Sequence, residues 1–164
     1  MPIFDPPRES PHIARGAILL DTNVLVGAFW PEDQNHEVCQ LIFDMPEQLL
    51  VPLGVVVESW GMLVGSRKRW DCGLQLLAWL ANPGTDAYVI HHADRIESVR
   101  DLIQKVNVDC VDALLVWMAN TITEHCQLTL PIRIATFDTA DFVKCMRTGR
   151  FKLKLLDMKT LDEY

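Results

Sequence analysis

The chain has no Cys-x-x-Cys pair, no glycine-rich phosphate loop, no Gly-x-Ser-x-Gly, no His-Glu-x-x-His and no apolar run long enough for a bilayer. Each absence removes a class of chemistry. Without paired thiols there is no zinc ribbon or dithiol redox motif, and the five cysteines (Cys39, Cys72, Cys110, Cys126, Cys145) are odd in number and widely spaced. They read as buried reduced thiols, not a disulfide framework. The longest apolar stretch, VPLGVVVESWGMLVG, is interrupted by Glu58, so a membrane span is not expected. Basic residues are in deficit, 15 Lys and Arg against 22 Asp and Glu, for a net charge of −7. That balance argues against nonspecific wrapping of nucleic acid, although a local basic rim can still contact phosphates. Together these features predict a soluble cytoplasmic protein.

The 164 residues are 49% hydrophobic and 23% charged, enough for one packed domain and too few for two ordinary ones. Residues 1–16 hold four prolines (Pro2, Pro6, Pro7, Pro11) and no apolar signal core, and are expected to form an arm ahead of a single domain over 17–164. Within that domain short apolar runs alternate with helical periodicity. Strands are expected at Ala17–Asp21, Leu49–Val51, Ala87–Ile90, Ile132–Thr136 and Phe151–Leu156. Helices are expected at Asn35–Asp44, from Pro52 to about Val64, at Asp71–Leu80, Asp94–Lys105, Cys110–His125 and Thr139–Met146. Asn82-Pro83-Gly84 is a stop signal. The last strand alternates Leu153 and Leu155 with Lys152 and Lys154, which suits a sheet edge. Alternating strands and helices predict an α/β sandwich with a mainly parallel sheet, whose ligands bind where strand order reverses.

Four acids lie at the borders of separate apolar elements: Asp21 in AILLDTNVL, Glu58 in VVVESWGML, Asp112 in VDCVDALLVWMA and Asp138 in IRIATFDTADF. Gathered in one crevice they would repel one another unless a cation or a proton offsets their charge. Mg²⁺ and Mn²⁺ prefer oxygen ligands, and such ions support phosphodiester hydrolysis without a serine or histidine nucleophile.

Each acid also has a plainer reading. Asp21 before Thr22 and Asp138 before Thr139 suit helix caps. Glu58 suits a solvated helix face. Asp109 and Asp112 share a helix face, so either is a ligand candidate. His91-His92 are strand neighbours that point to opposite faces. Arg67, Lys68 and Arg69 fit the negative end of a helix dipole, with an RNA-contacting rim as the alternative; Arg147, Arg150, Lys152 and Lys154 carry the same ambiguity. Trp70 and Trp79 are either core or part of a self-association surface.

In their order and rough spacing, LLDTNVLV, the glutamate of VVVESWGML, DALLVWMA and ATFDTADF resemble a PIN-domain nuclease, most closely the VapC-like toxin ribonucleases of toxin–antitoxin systems, over about residues 17–157. The resemblance implies a five-stranded parallel sheet flanked by helices and a metal-dependent endoribonuclease. It also implies Mg²⁺ or Mn²⁺ held by Asp21, Glu58, Asp112 and Asp138, with Asp141 as a further member. Glu58 would orient or deprotonate the attacking water, and Asn23 and Thr136 would aim the carboxylates. A homodimer, an RNA substrate and an inhibitory antitoxin protein are implied with it. The competing functions are a housekeeping RNA-processing nuclease of the same fold and a non-catalytic scaffold that binds RNA or protein.

Overall fold

The strand β1 (Ala17–Leu20) is buried along its whole length, because both faces of the sheet are covered and a four-residue aliphatic run is what such a position requires. It pairs in parallel with β2 (Gln48–Pro52) on one side and β4 (Arg133–Thr136) on the other. β3 (Ala87–Ile90) and β5 (Lys154–Asp157) extend the sheet outward. The order β3-β2-β1-β4-β5 is wholly parallel, and it reverses between β1 and β4. The computed structural model describes residues 16–82, 85–90, 96–125, 132–151 and 153–163. The expected arm (but for Gly16), the stop at Pro83-Gly84, His91-His92, Cys126 and Lys152 lie outside them.

Helices α1 (Thr22–Phe29), α2 (His36–Leu41), α3 (Leu53–Trp60), α4 (Trp70–Ala81), α5 (Ile96–Val106), α6 (Cys110–His125) and α7 (Ala140–Arg147) cover the sheet. The largest wholly buried side chains include Phe142, Leu25, Leu63, Leu76, Leu115 and Met118, drawn from elements on both sides of β1 and β4. Helix α1 approaches α2 closely at Gly27, where a Cβ would lie 2.6 Å from Cys39 Sγ. α5 ends at Asn107, whose φ of +57° places it in the left-handed region that closes helices.

The structure departs from the sequence expectations mainly at element ends. The helix expected to run from Pro52 to Val64 is α-helical only to Trp60 and then widens into a π-type turn over Gly61–Ser66, with the Arg67 amide donating to Met62 O. The helix expected at Asn35–Asp44 tightens into a 3-10 turn at Ile42–Asp44. The last strand starts at Lys154, not Phe151, because Gly149 at φ +69° is still turning the chain after α7. It is an edge strand, as its alternation implied. Cys39, Cys72 and Cys145 are buried, but Cys110 is exposed, since it stands at the first position of α6. Among the described residues no helix is long and apolar enough to cross a membrane.

Candidate active site

The reversal point between β1 and β4 brings two polar side chains to the same edge of the sheet. Leu20 pairs with Ala135, so the next residues, Asp21 and Thr136, stand side by side, and the Asp21 amide still donates to Ala135 O at 3.1 Å. Asp21 is 5% exposed and Thr136 fully buried. Asp21 Oδ1 accepts from the Thr22 amide at 2.6 Å, which makes it the N-cap of α1. Its Oδ2 accepts from the Thr136 hydroxyl at 2.7 Å and from Asn23 Nδ2 at 2.9 Å. Capping and aiming are therefore both performed by one carboxylate, which the sequence left as alternatives. A carboxylate has about four lone-pair sites, and the described hydrogen bonds to Asp21 fill three of them.

Thr136 and Asn23 are themselves fixed. The Thr136 hydroxyl has one proton, which the shorter contact assigns to Asp21, leaving the oxygen to accept from the Asp138 amide at 3.0 Å. Asn23 Oδ1 accepts from the Phe137 amide at 3.2 Å, tying α1 to the end of β4. Asp138 Oδ1 accepts from the Ala140 amide at 3.1 Å and starts α7.

Helix α6 supplies the next acids. Asp109 caps it, with Oδ1 accepting from the Asp112 amide at 2.8 Å. Asp112 is half-buried. Burial first, and then the negative charges of Asp109, Asp21, Asp141 and Asp138, push its carboxyl up to about 8. Asp21 is also raised, chiefly by burial and further by Asp109 and Glu58, although the Thr136 hydroxyl and Thr22 amide oppose the rise. The two residues that the sequence could not separate thus differ in role: Asp109 caps from an exposed position, while Asp112 is held among like charges.

Glu58 comes from the exposed side of α3, and its Oε2 accepts from the Thr22 hydroxyl. Beside it lies a groove of about 430 Å³ lined by Leu53, Gly54, Val57, Ile90, Leu114 and Met118. Asp141 is paired with Lys144 on the same face of α7. The hydrogen bond to Asp141, and then the charges of Asp141, Asp138 and Asp112, raise the Lys144 ammonium. Neither Thr22 nor Lys144 was singled out from the sequence. The Asp141–Lys144 spacing on a helix was a visible signal; the reach of Thr22 to a residue 36 positions away was not.

The basic residues with a helix-dipole role or an RNA-contacting rim as alternatives lie as follows. Arg67 lies over the Trp30 ring, 4.3 Å from its centroid, at the C-terminal cap of α1. Eight helical residues separate that cap from Asp21, about 12 Å. Arg69 is committed to Glu32 and Asp71, and Lys68 is exposed with φ +60°. Arg147 ends α7 and Arg150 follows it, both at the end opposite Asp138. Trp79 packs on Phe29 and Phe43, whereas Trp70 meets Trp60 edge-on and stays 58% exposed.

Whether these residues suit a divalent cation rests on their chemistry. The donors are all oxygen, anionic and concentrated at one sheet edge, which suits a hard ion and no soft one. Asp112 holds its proton to about 8, chiefly because it is buried and further because negative charges surround it. Among the described residues no three His, Cys, Asp or Glu side chains close to direct ligand spacing. Mg²⁺ retains several waters and reaches carboxylates through them, so the donor set fits an aquated ion.

No protein-family model and no curated protein matches the sequence. Solved structures do match the fold. VapC20 of Mycobacterium tuberculosis, described as a sarcin-ricin loop cleaving toxin, superposes with a TM-score of 0.62 at 16% identity, over 82% of this chain and 96% of that one. A toxin–antitoxin complex from Klebsiella pneumoniae superposes with a TM-score of 0.50 at 19% identity, over 76% and 89% of the two chains. The chain shares its five-stranded parallel α/β architecture with VapC-like PIN-domain toxins.

Proposed function

We propose that this protein is a metal-dependent endoribonuclease, the toxin of a toxin–antitoxin pair, built as one domain over residues 17–164. One observation carries the reading: a buried carboxylate, Asp21, is aimed by three donors at the strand-reversal point, beside Asp112 and surrounded by further acids. No Lys or Arg pairs with Asp21 or Asp112 among the described ion pairs. A fold that needed only stability would replace such groups with apolar ones.

Asp21 and Asp112 would hold Mg²⁺ or Mn²⁺, with Glu58, Asp138 and Asp141 completing the set through water. When bound, such an ion polarises a phosphodiester and lowers the pKa of an attacking water. Glu58, whose Oε1 has no hydrogen-bond partner among the described residues, would accept the proton of that water. Asn23 and Thr136 keep Asp21 in one rotamer. The apolar groove beside Glu58 suits side chains of an inhibitory antitoxin, whose seat there would obstruct the acids. The Klebsiella structure, a toxin–antitoxin complex, supports a partner of that kind. A homodimer and a cytoplasmic location belong to the same reading.

The test is direct. Purified protein is expected to cut structured RNA with Mg²⁺ or Mn²⁺, to stop on addition of chelator, and to be inert as Asp21→Asn. Its expression is expected to arrest growth. Cutting that survives chelator rejects the metal-dependent reading, and cutting without growth arrest moves the protein to RNA processing.

A further inference from the structure

Thr22 touches both acids that the proposed chemistry needs closest together. Its amide donates to Asp21 Oδ1 at 2.6 Å and its hydroxyl donates to Glu58 Oε2. The side chain is 6% exposed, yet nothing about α1 calls for a hydroxyl there. As the first residue of the helix, Thr22 has no preceding turn whose carbonyl its hydroxyl could engage. Threonine is also an indifferent helix former. A buried hydroxyl needs a partner, and the one it has is a carboxylate from a different helix.

Glu58 needs the contact more than Thr22 does. It lies on the exposed side of α3, on a long flexible side chain, and Asp21 repels it. A freely rotating glutamate would turn toward water and away from the buried acid. The hydroxyl opposes that by giving one oxygen, Oε2, a fixed donor.

We propose that Thr22 is a positioning residue, whose backbone N–H and side-chain hydroxyl hold Asp21 and Glu58 at one separation and so preset the spacing of the cation-holding and proton-accepting groups. The inference rests on the ribonuclease reading. It assigns Thr22 no contact with substrate or ion.

The experiment compares wild type, Thr22→Val, Thr22→Ser and Asp21→Asn by three measurements: Mn²⁺ titration calorimetry, thermal unfolding without metal, and kcat and KM on a structured RNA. Valine keeps the branched shape and removes the hydroxyl. Thr22→Val is expected to bind Mn²⁺ about 10-fold more weakly and to lose kcat by a similar factor. Its KM should be unchanged and its metal-free Tm close to wild type. Thr22→Ser is expected to restore both values. In a Glu58→Gln background, Thr22→Val should add no further loss. Wild-type Mn²⁺ affinity and kcat in Thr22→Val overturn the inference, as do equal losses in the valine and serine variants. Should Thr22→Val fail to fold, Thr22→Ala replaces it under the same criteria. Asp21→Asn inactivity beside an unaffected Thr22→Val removes the role of Thr22 and leaves the ribonuclease reading standing. A wild type that neither binds Mn²⁺ nor cuts RNA removes both.

Discussion

The two ends of α1 are opposites in charge matching. At its C-terminal end Arg67 covers the Trp30 ring, and Arg69 answers Glu32 and Asp71. Opposite charges are matched there in a described ion-pair cluster. At the N-terminal end Asp21, Glu58, Asp109 and Asp112 influence one another, and their hydrogen bonds come from neutral hydroxyls and amides. The first end is what folding stability alone produces. The second stores electrostatic tension, and its sign states what relieves it: a proton or a cation.

The contrast can be broken most severely at the acid end. Asp112→Asn is expected to cut RNA cleavage by more than about 100-fold, since groups that merely aim metal ligands already cost 10- to 100-fold when lost. An initial-rate assay at saturating Mn²⁺ measures it. The same substitution should have the opposite effect on the metal-free fold. Because Asp112 ionises near 8 when folded and near 3.8 when unfolded, the unfolded chain releases its proton first as pH rises. Metal-free stability therefore falls between about pH 4 and pH 8, by on the order of 2 kcal/mol once solvent screening of a half-buried group is allowed for. Urea unfolding at pH 5 and pH 8 shows the slope, and Asp112→Asn should flatten it. A slope unchanged in that variant would assign the tension to Asp21 instead.

At the other end of α1 the effects concern packing and pairing, not catalysis. Gly27→Ala forces a methyl against Cys39 Sγ and is expected to cost about 1–3 kcal/mol without changing kcat. Arg67→Ala should cost about 0.5–1 kcal/mol through loss of the ring contact, and leave KM for RNA alone. A raised KM in that variant would extend the nucleic-acid surface to this end and dissolve the comparison.

The sheet and the acids were legible in the sequence for local reasons. Buried parallel strands favour continuous aliphatic runs, so AILL announces itself, and an acid that ends such a run stands out. Element ends were less legible. The π-type turn after Trp60 depends on how α4 packs back through Gly73 against Val64 and Trp60, a tertiary fact. The site's internal wiring was hidden for the same reason. Thr22 looked like a companion to a helix cap, because its second partner arrives only when α3 is laid beside α1. Asp109 and Asp112 were inseparable by spacing, since both lie on one face and only burial distinguishes them.

The strand order has a consequence for the life of the polypeptide. β1, near the start of the chain, has β4 as a neighbour, and the bond from Thr136 to Asp21 spans 115 residues. A ribosome must therefore translate most of the message before the central pair can form, and such distant pairings are slow to close. Truncated or half-made copies lack β4 and Asp138 altogether, so on the proposed ribonuclease reading any action on RNA has to wait until the chain has been made past β4.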